Sequence, residues 1–345
     1  MISGHEHRKN EHVSLAQKFY SETNDDFSRL RFIPQGIAHT AIDEVDISTQ
    51  IGSIKLQAPF YIEAMTGGSQ QTAKLNERLA TIAKETHLAM AVGSQSVALK
   101  HPELESSFKI VRESNPNGIL FANIGAEHSP EDAKKVVNMI QADALEIHIN
   151  AVQELIMPEG NRTFAFIDNI DQIVKQIDVP VIVKEVGFGM SRQMITELQQ
   201  VGVKLINVGG RGGTDFAQIE NFRRPDKDMN YFNDWGLSTV ESLLEALPQL
   251  PTKNIIATGG IKTPASVAKS MALGASAVGV AGFFLNQLFK YNTNEPIIET
   301  IQNWKYGLHA ILALQNTRSW TELSKQKLLL SPELINYTKQ RNIKY

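Results

Sequence analysis

The chain contains no cysteine, which excludes disulfides, thiolate metal sites and every mechanism built on a cysteine nucleophile. It also lacks any apolar run of the ~18 residues that a bilayer span requires, and residues 1–10 are polar rather than signal-like, so a cytoplasmic protein without a membrane partner is the expectation. A surplus of positive charge is missing too. The formal net charge of −3 gives no overall basic field for nucleic acid, so any anion must be held by local groups. What is present suffices for a full core: 345 residues, 42% of them hydrophobic, enough for one large α/β domain.

Residues 1–58 read as a polar arm followed by a hairpin. The arm carries Arg8-Lys9-Asn10-Glu11-His12, a short helical pattern through Tyr20 and an acidic turn at Asn24-Asp25-Asp26. Apolar-alternating residues 45–49 and 53–56 flank Gln50-Ile51-Gly52, the kind of hairpin that plugs the end of a barrel. From residue 59 strands alternate with helices. The strands fall at 59–64, 88–92, 118–122, 144–149, 179–184, 203–208, 254–258 and 277–280. Helical patterns occupy about 71–85, 103–112, 130–140, 168–177, 191–201, 237–247 and 264–273. Eight short strand–helix units predict a closed (β/α)8 TIM barrel over 59–298, with a helical tail at 299–345. Residues 215–236 are long and polar for an ordinary connection, and are expected to form a lid or a partly disordered loop over the barrel mouth.

The fourth strand breaks the rule of its setting. A parallel strand is normally apolar on both faces, yet alternation puts Leu145, Ile147 and Ile149 on one side and Glu146, His148 and Asn150 on the other. Three buried polar groups in a row call for partners, at about 1–3 kcal/mol each if unmet, so a polar cavity, water or ligand lies there. Gln153 and Glu154 follow at the strand exit, where α/β folds keep their chemistry.

Glycine turns follow the last three strands: Gly209-Gly210-Arg211-Gly212-Gly213-Thr214, Gly259-Gly260 and Ala281-Gly282. Converging backbone N–H groups and helix starts at these turns describe the phosphate site that barrels build there. Thr66, Ser94 and Asn123 each end a strand with a small hydrogen-bonding group, as suits a polar ring system lying across the barrel. Lys184 ends the fifth strand. Three roles stay open for it: charge stabilisation of a reduced flavin, Schiff-base formation, or a salt bridge to Glu146 or Glu185.

Arg8-Lys9-Asn10-Glu11-His12, Met65-Thr66-Gly67-Gly68, Gly93-Ser94-Gln95, residues 148–154, residues 183–189 and Gly210-Arg211-Gly212-Gly213-Thr214 together resemble the type 2 isopentenyl-diphosphate isomerases over nearly the whole chain. The resemblance implies an FMN-dependent barrel that interconverts isopentenyl and dimethylallyl diphosphates with reduced FMN, NADPH or NADH as reductant, and Mg²⁺. It implies FMN contacts at Met65, Thr66, Ser94, Asn123, Lys184, Thr214, Gly259, Gly260, Ala281 and Gly282. Substrate contacts are implied at Arg8, Lys9, Ser94, Gln95, Ser96, His148, Asn150 and Gln153, with Mg²⁺ at Glu154. Gln153, His148 and Lys184 are the implied catalytic set, with Arg8, Lys9 and His148 neutralising the diphosphate. Part of the family carries arginine where this chain has Ser96, which implies that another cation compensates. The family also suggests tetramers or octamers.

Two other readings stand beside this one. A hydroxyacid-oxidase-like FMN barrel needs a histidine base and arginines near the last strands, whereas Arg211 has no adjacent histidine; the inosinate-dehydrogenase kind needs a cysteine. The other is a non-catalytic protein that binds phosphate or prenyl diphosphates.

Overall fold

The computed structural model describes residues 4–22, 25–247 and 254–345. Asn24 of the expected acidic turn and residues 1–3 of the arm lie outside the described residues. Eight parallel strands close into a barrel: β1 (Phe60–Ile62), β2 (Met90–Ala91), β3 (Leu120–Gly125), β4 (Ala144–Ile149), β5 (Val181–Glu185), β6 (Leu205–Asn207), β7 (Ile255–Thr258) and β8 (Ala277–Val280). Each pairs with its sequence neighbours, and β8 closes the ring on β1 through Val278 opposite Phe60. This is the expected (β/α)8 TIM barrel.

Side-chain alternation sorts each strand into an inner and an outer set. Tyr61, Ala91, Phe121, Ala144, Ile182, Leu205, Ile256 and Ala277 form one buried cluster, with Tyr61 and Phe121 meeting edge to face at 5.3 Å. Large rings beside alanines let the layers interdigitate, and each fully buried Phe is worth about 1.5–3 kcal/mol. The hairpin Thr49–Ile51 and Ile54–Leu56 inserts Ile51 and Leu56 into that same cluster. Its turn sits slightly later than the sequence pattern suggests, because Gly52, at φ +54°, is the residue free to take the left-handed conformation.

The arm is more helical than its polarity suggests. Helix α1 (Gly4–Lys18) touches α2 (Gln70–Thr86), and Ser69, the N-cap of α2, donates from Oγ to Asn10 Oδ1 at 2.7 Å. Next come α3 (Ser96–Lys100), α4 (Ser106–Ser114), α5 (Pro130–Ile140), α6 (Ala151–Ile156), α7 (Phe166–Gln176) and α8 (Arg192–Gln200). Helix α5 starts as its sequence requires: Ser129 caps it by accepting from Asp132 N, and Pro130 occupies the first turn. The stretch 215–236 is not an irregular loop. Asp215 accepts from Gln218 N and starts α9 (Phe216–Arg223), and a 3-10 turn follows at Asn230–Phe232.

Helices α10 (Thr239–Ala246), α11 (Pro264–Ala272) and α12 (Gly282–Lys290) complete the ring. The tail helices are α13 (Glu295–Leu314), α14 (Trp320–Leu323) and α15 (Pro332–Gln340), so helix begins slightly before the expected residue 299. Among the described residues, no helix is long and apolar enough to cross a membrane.

Candidate active site

At the C-terminal ends of the strands a cavity of about 530 Å³ opens, floored by Glu63 and Lys184 and flanked by α1 and α9. It is lined by Arg8, Lys9, Met65, Thr66, Ser94, Ser96, Asn123, His148, Asn150, Gln153, Glu154, Lys184, Thr214, Gly259, Gly260, Ala281 and Gly282. Of the residues expected in the site, Gln95 alone stands apart. Its side chain is fully buried, with Nε2 donating to Val136 O at 3.1 Å and Oε1 accepting from Asn123 N at 3.0 Å. Gln95 therefore braces β3 against α5, which corrects its placement among the substrate contacts.

Strand β4 delivers what its alternation predicts. Leu145 and Ile147 join the core between barrel and helices, while Glu146 and His148 turn inward. The chain then reverses into α6, too short to show a helical period, which brings Gln153 and Glu154 over the mouth. Asn150 Nδ2 donates to Glu154 Oε1 at 3.1 Å and lies 3.4 Å from Gln153 Oε1. Glu154 Oε2 also accepts from Asn161 N at 2.6 Å.

Gln153 is fixed by a residue that sequence reasoning missed. Its Nε2 donates to Glu220 Oε1 at 2.9 Å, and Glu220 also meets His12 Nε2 at 3.0 Å and Arg223 at 2.5 Å. Burial alone would raise the Glu220 carboxyl, but hydrogen bonds from His12, Gln153 and Arg223 outweigh it and hold the pKa at about 2. An ionised carboxylate only accepts, so the amide presents its NH2 to Glu220 and turns its carbonyl towards Asn150. Arg223 also pairs with Glu11 of α1 at 2.9 Å and with Glu159 at 2.7 Å, joining arm, α6 loop and α9. No signal marked Glu220, because its helix buries a polar face against the site rather than an apolar one against the core.

Lys184 Nζ lies 2.6 Å from Glu63 and 3.0 Å from Glu146, with all three side chains buried. Of the two carboxyls named for it, the structure sets the amine against Glu146, whereas Glu185 lies on the other face and accepts from the N–H groups of Val186, Gly187 and Phe188. Burial would lower the Lys184 pKa, but the two carboxylates raise it, so the amine stays protonated and is a poor Schiff-base nucleophile. Glu63 was missed although it shares the inward parity of Tyr61 on the first strand.

His148 Nδ1 lies 2.8 Å from Asn123 Oδ1, which makes Nδ1 the donor and leaves Nε2 with a lone pair. Burial first, then the positive charges of Lys184 and Lys9, lowers its pKa to about 4, and the opposing Glu127 charge does not restore it. His148 is thus held towards its neutral form in the free protein, so it would help neutralise a diphosphate by taking up a proton as the anion binds. Beside Ser94 and Ser96 lie Lys9, whose Nζ is 3.5 Å from Ser94 O, and His128, whose Nε2 is 2.9 Å from Ser96 Oγ. His128 is raised: burial disfavours its charge, but hydrogen bonds and charge from Glu127 and Asp132 prevail. Burial, then Arg8, lowers Lys9 to about 8.

The glycine turns after β6, β7 and β8 pack backbone on backbone. Gly259 has φ +112°, and a Cβ there would collide with Gly210 O. Among the lining residues' buried polar atoms with no hydrogen-bond partner are Thr66 Oγ1 and Asn150 Oδ1, a cost of about 1–3 kcal/mol each that a ligand or water would remove. Among the described residues no group of three or more His, Asp or Glu side chains is placed to hold a metal ion.

The model of the FMN-dependent dehydrogenase family matches residues 103–330. The isopentenyl-diphosphate delta-isomerase of Latilactobacillus sakei is 50% identical over 338 residues, covering 98% of this chain and 97% of that protein. Its namesake in Staphylococcus saprophyticus is 46% identical over 98% of this chain and 97% of that protein, and that of Limosilactobacillus reuteri 48% over both full lengths. Among solved structures, a flavocytochrome b2 variant with bound pyruvate superimposes with a TM-score of 0.66 at 18% identity, covering 96% of this chain and 84% of that one. A mandelate oxidase variant with a monooxide FMN adduct gives 0.62 at 14% identity, covering 93% and 92%. At such identities these two show the shared barrel alone.

Proposed function

Since the chain belongs to the FMN-dependent dehydrogenase family and, within it, to the isopentenyl-diphosphate delta-isomerases, we propose that it interconverts isopentenyl and dimethylallyl diphosphates in its barrel mouth. The residues present suit FMN. The glycine turns offer backbone N–H groups to its phosphate, Met65, Thr66, Ser94, Asn123 and Thr214 border a space for its ring, and the unpartnered Thr66 Oγ1 awaits a polar ligand atom. When bound and reduced, FMN supplies an electron-rich flat surface and a proton donor and acceptor at N5.

The reaction moves a proton between carbons two bonds apart with no net redox change. Protonating an unactivated alkene creates a tertiary carbocation, which needs a flat electron-rich neighbour and no nucleophile. Gln153 fits beside it: a neutral amide, clamped by Glu220, with its carbonyl held only loosely by Asn150 at 3.4 Å and able to orient or relay a departing proton without capturing the cation. Lys184, at the cavity floor, would offer positive charge to a bound reduced flavin. Ser94, Ser96, Asn150, Arg8 and Lys9 receive the diphosphate, and His148 Nε2 adds charge only by taking a proton when the anion arrives.

Glu154 suits Mg²⁺ as one carboxylate among substrate oxygens and water, the mode in which that ion is usually held. NADPH or NADH reduces the flavin through the same mouth, since the sequence contains no separate dinucleotide fingerprint. Assembly into tetramers or octamers is an implication of the family, checked by light scattering. The oxidase alternative loses ground because the chain has no histidine between His148 and His309 to act as its base.

One observation carries the reading: Gln153 and Glu154 share a cavity with Lys184 and all three glycine turns. In deuterated buffer with Mg²⁺ and catalytic reductant, the purified holoenzyme should turn isopentenyl diphosphate into deuterated dimethylallyl diphosphate. Stoichiometric nicotinamide consumption would instead favour an oxidoreductase, and flavin-loaded protein inert towards both prenyl diphosphates a binding protein.

A further inference from the structure

Beneath the cavity floor lies a cluster that the proposed proton transfers do not use. Tyr61, Glu63, Glu146, Lys184 and Asn207 are each at most 5% exposed, though they come from β1, β4, β5 and β6 and the turn after β1. Counting hydrogens separates the two carboxylates. Glu63 accepts from five donors: Lys184 Nζ at 2.6 Å, Ala64 N at 2.7 Å, Tyr61 Oη at 2.8 Å, Asn207 Nδ2 at 2.8 Å and Thr258 Oγ1 at 3.1 Å. So many donors fix Glu63 as the anion. Glu146 has Lys184 Nζ at 3.0 Å and Tyr61 Oη at 3.3 Å. The Tyr61 hydroxyl owns one hydrogen, and Glu63 lies closer to it. The Glu146–Tyr61 contact therefore holds a hydrogen only if Glu146 brings its own.

We propose that Glu146 is a proton-carrying positioning residue: it sits as a neutral acid beside the Lys184–Glu63 pair, keeps the floor under the ring uncharged, and couples ring reduction to protein protonation. A floor with both carboxylates ionised would set a net negative charge against the anion formed when the ring accepts a hydride, two electrons and one proton, from a nicotinamide or from dithionite plus water. Glu146 answers by holding its proton or taking one from solvent, so protein rather than ring gains the second proton. Electrostatics agrees in direction: burial first and the Glu63 charge second raise Glu146 to about 8, while Lys184 opposes them. The remaining titratable groups facing this floor are Tyr61, raised by burial, and His148, lowered by burial and itself faced by Glu127 and Lys9. Glu185, raised to about 8 by burial, points to the other face of β5.

The inference rests on the reading that the cavity takes FMN, and the test separates the two. Flavin midpoint potentials are measured against pH in the holoenzyme, in Glu146→Gln and in Tyr61→Phe. In the wild type the potential should fall more steeply from pH about 8 upward, by one extra proton per two electrons, a tenfold shift per pH unit or ~30 mV. Glu146→Gln keeps the neutral shape and should lose that extra slope. Tyr61→Phe removes the acceptor of the Glu146 proton and should move it to lower pH. Wild-type and Glu146→Gln curves that run parallel throughout assign the slope to the ring and overturn the proposal. Wild-type protein that takes up no flavin defeats the FMN reading itself.

Discussion

Replacing Gln153 by Asn perturbs the proposed proton path with little else. The shorter side chain draws the amide back by about 1.5 Å, one carbon–carbon bond. That is enough to break its 2.9 Å bond to Glu220 and withdraw its carbonyl from the cavity. A positioned proton-transfer group contributes about 10²–10⁴ in rate, so kcat should fall by that factor, or about 3–5 kcal/mol of barrier. Stability should suffer less. Glu220 keeps Arg223 at 2.5 Å and His12 at 3.0 Å, so no buried charge is orphaned. The lost charge-assisted bond costs about 1–3 kcal/mol at most in a part-buried position. Turnover is followed with labelled isopentenyl diphosphate under anaerobic, Mg²⁺-containing conditions, alongside flavin absorbance and a thermal melt. The expected pattern is bound flavin, a near-normal melt and lost kcat. Wild-type kcat would refute the reasoning, and simultaneous loss of flavin and fold would make Gln153 a structural residue.

Glu154→Gln removes a charge but keeps the shape, so the Mg²⁺ concentration for half-maximal rate should rise about tenfold or more; an unchanged titration removes Glu154 as the ligand. Deleting residues 1–12 takes away Arg8, Lys9, Glu11 and His12, and should raise KM sharply with flavin retained, whereas unaltered kinetics would make the arm dispensable. For His148 the folded pKa of about 4 lies below its ordinary 6.5. The unfolded chain therefore binds the extra proton between these values, and stability present above pH 6.5 is lost as pH falls towards 4. Urea melts across that window should show a shallower pH dependence in His148→Gln than in wild type; parallel curves would mean that His148 is not held neutral.

Much of the fold was legible because a barrel writes a simple period: eight apolar runs of strand length, each followed by a helical pattern. The inward row of Glu146, His148 and Asn150 was legible for the same reason, since alternation within one strand is local. What stayed hidden is of two kinds. Helix α6 is only six residues long, and α9 turns the polar Glu220 and Asn221 inward, so neither has an apolar stripe to read. The partners of Lys184 and Gln153 were hidden by distance along the chain, since Glu63 is 121 residues from Lys184 and Glu220 is 67 from Gln153. Gln95 misled because a polar residue beside two site serines looks like a ligand contact, whereas the turn after β2 sends it into the wall to bond Val136 and Asn123.

The measurement that bears most directly on the central claim is an anaerobic assay of one holoenzyme preparation with isopentenyl diphosphate and Mg²⁺, before and after its flavin is reduced. The account predicts no dimethylallyl diphosphate from the oxidised form and sustained turnover once a single equivalent of reductant has been added. Equal rates from oxidised, reduced and flavin-free protein would contradict it.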